Sequence, residues 1–459
     1  MKIIKNIDQT IFREYDLRGV YGDEINEDTA YTLGKSYGSY IKKEKNTIAI
    51  IGYDNRESSP ILCNALIKGI TETGINVVNI GLVTTPMYYF ARYHLHIDTG
   101  VMITASHNPK EYNGFKMAFS KIGNAYGKLI TDFRDFTNEG VFESDVIGTI
   151  QNININQEYI NLLTKSVDFG NKKIKAVVDC GNGTGSIIIK DVLDSLNIEY
   201  YPLYCESDSN FPNHHPDPSV HKNMTELCKK VVELGYDLGI GIDGDADRIG
   251  LVDEKGSIIG PDLIMTIVYR NIVDKMRNKR ALFDVKCSKS LIDELDKLKI
   301  EKTMYRTGNS YMNMMMQEGD FDFGGEYSGH IYFRDKFPGF DDAIYGGLRI
   351  VEILSHTDKP LSSLLDGINI YLSTEEVKFP VSDETKVDVV AKVKQYCIDK
   401  GYQFVDIDGV RVEFDDSWAL VRPSNTGPNI TSRFEASNKE RLVEIEKEFT
   451  DLLNKLINS

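Results

Sequence analysis

Three times in this chain a short β-branched run ends near an aspartate and passes into a helical pattern: Thr47 to Asp54, Lys175 to Asp179, and Arg280 to Asp284. Pro60 to Thr73, Gly185 to Leu196 and Leu291 to Leu298 follow them, each with apolar residues at helical spacing. Buried strands alternating with helices predict parallel or mixed sheets covered on both faces. The likeness of the three units is a weak internal repeat and implies three α/β domains of similar topology. The chain has 459 residues, and at roughly 150 residues per domain it has room for about three or four.

The last segment has another rhythm. Lys386 to Lys400 predicts a helix, Tyr402 to Phe414 a hairpin turning at Asp408-Gly409, Ser417 to Ala436 a strand, loop and strand, and Lys439 to Ile457 a long amphipathic helix. That pattern is α+β and predicts a separate, smaller C-terminal domain. Polar stretches between periodic patterns put the expected domains at 1–153, 154–254, 255–369 and 370–459.

A net charge of -16 argues against nucleic acid or an anionic membrane as partner, and any anionic ligand must meet local positive charge. Cys63, Cys180, Cys205, Cys228, Cys287 and Cys397 lie far apart with no CxxC pair, so reduced, buried thiols are expected rather than a zinc or redox site. The N-terminus lacks an uninterrupted apolar core of a signal peptide, and no run approaches the ~18 apolar residues of a membrane span. The expected location is cytoplasmic. No sequence feature sets an oligomeric state, and a monomer is the working expectation.

Four segments carry chemistry. Thr104-Ala105-Ser106-His107-Asn108-Pro109 follows the apolar run Gly100 to Ile103, which puts Ser106 just past a strand, where open α/β sheets present ligands. Alone, the segment also suits a plain turn. A serine hydrolase fits worse, because the GxSxG elbow is absent. Asp243, Asp245 and Asp247 alternate after the apolar run Leu238 to Ile242, and in an extended loop alternation turns all three to one side. Three hard oxygen donors suit Mg²⁺. Asp243, Asp245, Asp247 and Glu254 also fall at calcium-loop positions, but Arg248 stands where an EF-hand requires glycine, and a strand precedes the loop. Glu326 and Ser328, two apart on an extended stretch, would face the same way and suit vicinal hydroxyls, although a glycine-rich strand end reads equally well. Arg422, Ser424, Asn425 and Thr426 combine a guanidinium fork, hydroxyls and an amide beside Gly427, as a phosphate requires. Gly181-Asn182-Gly183-Thr184-Gly185 has its third glycine one residue early for a dinucleotide site and reads as a βα turn.

In order and chemistry these segments resemble the α-D-phosphohexomutase family, closest to its bacterial phosphomannomutase/phosphoglucomutase branch, over essentially the whole chain. The resemblance implies four domains around a central active-site cleft. It implies that Ser106 is a phosphoserine, that it and Asp243, Asp245 and Asp247 ligate Mg²⁺, and that Glu326 and Ser328 read sugar hydroxyls. Arg422, Ser424, Asn425 and Thr426 would hold the phosphate that does not react. Arg18, Lys116, Arg248 and His330 would serve catalysis, with Tyr15, Lys286 and Asn309 among the substrate contacts. Asn309 stands where the bacterial members often carry histidine, and asparagine cannot bear a proton. The expected activity is interconversion of hexose 1-phosphate and hexose 6-phosphate, of mannose or glucose, through a hexose 1,6-bisphosphate that also activates the enzyme. Phosphoglucosamine mutase, a sugar-phosphate phosphatase and a non-catalytic sensor are the alternatives.

Overall fold

Two of the three aspartates at the ends of the repeated strands have a local job. In the computed structural model, Asp54 Oδ1 accepts the N–H of Arg56 at 3.1 Å and Asp179 Oδ1 that of Gly181 at 2.8 Å. Both carboxylates turn the chain off the sheet by hydrogen-bonding their own backbone two residues on. Asp284, fully buried, instead accepts from Tyr327 N–H at 3.0 Å and from the Thr307 hydroxyl at 3.0 Å. The structure describes residues 1–458 apart from 122, 141, 143–145, 425 and 426.

The chain forms two compact units. The first comprises Met1–Pro261, Asn313–Gly319 and Ser328–Leu364, and the second Asp262–Met312, Asp320–Tyr327 and Leu365–Ser459. The first unit holds two mixed sheets. One runs in the order Leu17–Val20, Tyr112–Ala118, Gly100–Ile103, Ile48–Tyr53, Asn76–Leu82, Ile150–Asn152, parallel from Gly100–Ile103 onward and antiparallel before it. The other runs Ile258–Ile259, Ile249–Asp253, Leu238–Ile242, Lys175–Asp179, Glu199–Leu203, with Leu238–Ile242 and Ile249–Asp253 as an antiparallel hairpin. Helices Glu27–Lys43 and Ser59–Thr71 bury Leu33, Tyr37, Leu62 and Leu66 against Ile51, Val101 and Phe115. At roughly 1.5–3 kcal/mol per fully buried large apolar side chain, such a core outweighs any single polar contact in the unit.

In the second unit, Arg280–Asp284 pairs in parallel with Glu301–Tyr305 on one side and Phe323–Gly325 on the other. An antiparallel sheet follows, ordered Leu372–Ser373, Asn429–Ala436, Ser417–Pro423, Val410–Glu413, Phe404–Val405. Helices Asp383–Lys400 and Lys439–Ile457 contribute Val393, Cys397, Ile445 and Phe449 to its core. The strands Lys175–Asp179 and Arg280–Asp284 and the helix Lys439–Ile457 fall on the expected residues. After Lys175–Asp179 the expected helix is broken into a 3₁₀ turn, Thr184–Ile187, and a short helix, Ile189–Ser195. All six cysteines are free. Among the described residues no helix is long and apolar enough to cross a membrane.

Candidate active site

Ser106 lies past the strand Gly100–Ile103, in a turn that forces it into the left-handed region at φ 51°. Its N–H donates to Thr104 Oγ1 at 2.8 Å, and its Oγ lies 3.3 Å from Asp243 Oδ2 and 3.1 Å from His107 Nδ1. The residue is 3% exposed. Burial first, then the guanidiniums of Arg248 and Arg18, holds the His107 imidazole well below its usual range, so it is neutral.

Asp243, Asp245 and Asp247 follow the strand Leu238–Ile242, are fully buried, and present carboxylate oxygens within 4.8 Å of one another. Their convergence does not come from alternation along an extended loop. The segment is a turn in which Ala246 adopts φ 67°, while Asp243 Oδ1 caps the N–H groups of Asp247 and Arg248 at 3.0 Å each. Gly244 sits hard against the nucleophile loop, since a Cβ there would lie 2.5 Å from Ser106 O. Only glycine permits that approach.

Lys116, in the strand Tyr112–Ala118, places its ammonium 2.9 Å from Asp245 Oδ2 and 2.6 Å from Asp247 Oδ2. Burial alone would depress this lysine, but the two carboxylates outweigh burial and hold it well above its usual range. Asp245, which burial would raise, is held below the ordinary carboxylate range by Lys116 and by the Thr85 hydroxyl at 2.6 Å. Asp243 and Asp247 are pushed up by burial and by their fellow carboxylates. Asp245 Oδ1 and Asp247 Oδ1 are buried without a hydrogen bond. Such unpaired buried oxygens, in a cluster with more carboxylates than ammoniums, fit a hard divalent cation.

Arg248 Nε donates to His330 Nε2 at 3.0 Å, and His330 Nδ1 lies 2.7 Å from Asp341 Oδ2. Burial alone would depress this imidazole, but the carboxylates of Asp247 and Asp341 outweigh it and hold it above its usual range. Arg18 donates to Asn108 Oδ1 at 2.7 Å and to Asp16 Oδ2 at 2.5 Å. Tyr15 is half-buried near the Arg18 and Arg248 guanidiniums.

The second unit carries the other set. Glu326, 1% exposed, accepts the Gly308 N–H at 2.7 Å. Lys286 Nζ is 3.3 Å from Glu376 Oε1, and Glu376 is held low first by that ammonium. Arg422 donates through Nε and Nη2 to Asp408 at 3.0 and 3.3 Å, and Asp408 also accepts the Thr307 N–H at 3.1 Å. Ser424 is buried with its N–H on Asn429 O at 2.9 Å, and Asn309 is buried at the start of the helix Asn309–Glu318. Tyr327 stacks on Arg433, 3.6 Å from ring centroid to guanidinium carbon, and the sole tryptophan, Trp418, has Arg411 over its ring at 4.1 Å. Asn425 and Thr426 lie outside the described residues.

Four family models match in chain order. Phosphoglucomutase/phosphomannomutase alpha/beta/alpha domains I, II and III cover residues 9–133, 157–256 and 260–371, and the C-terminal domain of the same family covers 376–452. The chain belongs to the phosphoglucomutase/phosphomannomutase family. It is 36% identical over 448 residues to a phosphomannomutase/phosphoglucomutase of Pseudomonas putida, with 97% of this chain and 96% of the relative covered. It is 34% identical over 451 residues to a phosphoglucomutase of Neisseria meningitidis, with 97% and 96% covered. A crystal structure of a phosphoglucomutase/phosphomannomutase family protein from Burkholderia thailandensis matches with a TM-score of 0.91 at 32% identity over 98% of each chain. The protein is a phosphohexomutase and therefore an isomerase.

In this phosphohexomutase the first unit gathers Tyr15, Arg18, Ser106, Lys116, Asp243, Asp245, Asp247, Arg248 and His330, while Lys286, Asn309, Glu326, Arg422 and Ser424 belong to the second. The extended geometry expected for Glu326 and Ser328 is not found: Tyr327 and Ser328 form a turn between the strands Phe323–Gly325 and Ile331–Phe333. The strand stops at Gly325, so the two-residue alternation of an extended strand does not apply to Glu326 and Ser328. Asp341, Thr85 and Arg56 escaped the sequence reading. Asp341 had a visible neighbour in Asp342, but an acidic pair beside a proline-glycine turn carries no sign of the histidine it meets.

Proposed function

We propose that Ser106 carries the phosphoryl group and passes it to a free hydroxyl of a hexose phosphate, giving a hexose 1,6-bisphosphate that reorients and returns its other phosphate to Ser106. The bond from phosphorus to Ser106 Oγ breaks as that to the sugar oxygen forms, the proton lost by the sugar hydroxyl ends on the departing Ser106 Oγ, and the second transfer reverses each change. The observation that carries this reading is Ser106 Oγ 3.3 Å from Asp243 Oδ2, inside a buried three-carboxylate cluster. Asp243, Asp245 and Asp247 would hold Mg²⁺, which when bound neutralises phosphoryl oxygens. Lys116, kept protonated by its two carboxylates, contributes charge beside the reacting group. Arg248 and Arg18 both act on the His107 imidazole beside Ser106 and so add positive charge there, and the near-complete burial of Ser106 shields a phosphoserine from water, which favours transfer over phosphatase loss.

Lys286, Glu326 and Ser328 are assigned to the sugar, together with Asn309, which donates a hydrogen bond but no acid. Arg422, Ser424, Asn425 and Thr426 are assigned to the distal phosphate. Relatives named for both mannose and glucose support a hexose substrate of either kind. Coupled assays with mannose, glucose and glucosamine 1-phosphates, each with the bisphosphate present, rank them. Ser106→Ala should abolish interconversion of mannose 6-phosphate and mannose 1-phosphate, and turnover near that of the unsubstituted enzyme would refute the carrier.

A further inference from the structure

Arg56 is a buried cation that neither the metal cluster nor the phosphate loop uses, its side chain only 1% exposed. Every one of its five N–H donors is placed. Nε donates to Asp54 Oδ2 at 3.1 Å, Nη1 to Pro109 O at 2.7 Å and Tyr112 O at 3.1 Å, and Nη2 to Ser106 O at 2.8 Å and Asn108 O at 2.7 Å. Four carbonyls within seven residues of one loop therefore converge on a single guanidinium. That loop has little of its own to hold it: Ser106 stands at positive φ, and turn bonds such as Asn108 N–H to Ala105 O at 2.9 Å are local. The guanidinium also lies 5.6 Å from the centre of the Phe211 ring, in the segment whose Pro216 O accepts the Gly244 N–H at 3.1 Å. Arg56 thus grips the nucleophile loop and faces the segment that braces the metal loop.

We propose that Arg56 is a positioning residue that sets the place of Ser106 against the carboxylate cluster by fixing the backbone of the nucleophile loop. Ser106 O is held by Arg56 Nη2 and has the Gly244 backbone packed against it, so the carbonyl has little freedom and the attached Oγ inherits its position. Lysine cannot substitute, because an ammonium offers three donors from one point rather than a planar fork of five. The proposal rests on Ser106 as the phosphoryl carrier.

The test compares Arg56→Lys and Arg56→Ala with the unsubstituted enzyme in three measurements: kcat and KM for mannose 1-phosphate, the single-turnover rate of Ser106 phosphorylation by glucose 1,6-bisphosphate, and the folded fraction by thermal melting. A folded Arg56→Lys should lose about 100-fold in kcat, the scale of an ångström-sized misplacement. KM should stay within about threefold and phosphorylation of Ser106 should slow in parallel. Guanidinium ion at low concentration should restore part of the activity of Arg56→Ala. A folded Arg56→Lys with unchanged kcat, a rise in KM alone, or loss of the fold in both variants would overturn the proposal and leave Arg56 a stabilising residue only. Ser106→Ala assayed alongside separates the two readings. If it retains turnover the carrier fails, whereas if it is inactive while Arg56→Lys is normal, only the positioning fails.

Discussion

Adding one methyl group at Gly244 tests whether the contact between the nucleophile loop and the metal loop governs catalysis. The Cβ of Gly244→Ala would lie 2.5 Å from Ser106 O, and ordinary contact begins at 3.4 Å, so one loop must yield by about 0.9 Å. Gly244 is not at positive φ, so the alanine adds no backbone strain of that kind. Overpacking of this size costs on the order of 1–3 kcal/mol of stability, which lowers the melting temperature by a few degrees without unfolding the chain. The same displacement moves Ser106 Oγ off its 3.3 Å approach to Asp243 Oδ2. A misplacement near one ångström costs roughly 100-fold in rate. The coupled mutase assay should therefore show kcat down by about two orders of magnitude, with KM for the hexose phosphate nearly unchanged. A folded Gly244→Ala enzyme within about threefold of the parent kcat would refute the coupling of the two loops.

Lys116→Met removes the ammonium between Asp245 and Asp247 and should cost about 3–5 kcal/mol without metal, as for any buried pair stripped of one partner. Calorimetry should then find that Mg²⁺ raises the melting temperature of the variant more than that of the parent, and equal shifts would argue against a cation at these carboxylates. Arg422→Ala should raise KM by roughly 10- to 100-fold, the worth of a charge-assisted hydrogen bond or two, and leave kcat less affected. Burial first, opposed by the Tyr159 hydroxyl and the Tyr345 and Ile344 amides, pushes the Asp342 carboxyl up to about 7. The folded carboxyl keeps its proton where the unfolded one, near 3.8, has lost it. Its contribution is thus fully present at low pH and is lost as pH rises through that window, by at most about 1.4 kcal/mol per pH unit. Denaturant titrations of Asp342→Asn should show a flatter stability profile across the same range.

How much could be read beforehand depended on how local the cause was. The strand Arg280–Asp284 and the helix Lys439–Ile457 were legible because their apolar spacing is set by neighbouring residues. The carboxylate triplet was legible as a cluster, but for the wrong reason, since a turn through Ala246 and the capping by Asp243 bring it together. The stretch with Glu326 and Ser328 reads as an extended strand end, but the strand stops at Gly325 and Tyr327 and Ser328 form a turn. Arg56 was invisible. Four of its five partners are backbone carbonyls 50 to 56 positions away, and a carbonyl leaves no mark in a sequence. The pairing of His330 with Asp341 was hidden for a related reason, because two ordinary residues meet only once the chain has folded.

The lone Trp418 gives the molecule an unequal optical label. It is fully buried in the second unit, under Arg411, with its indole N–H donated to Glu435 Oε1 at 2.7 Å. Fluorescence excited at the red edge, where tyrosine hardly absorbs, therefore reports on one unit and is silent on the unit that carries Ser106. Far-ultraviolet dichroism weighs both. If the units melt separately, the two signals will give different midpoints, and a single unfolding free energy for this chain will then have no meaning.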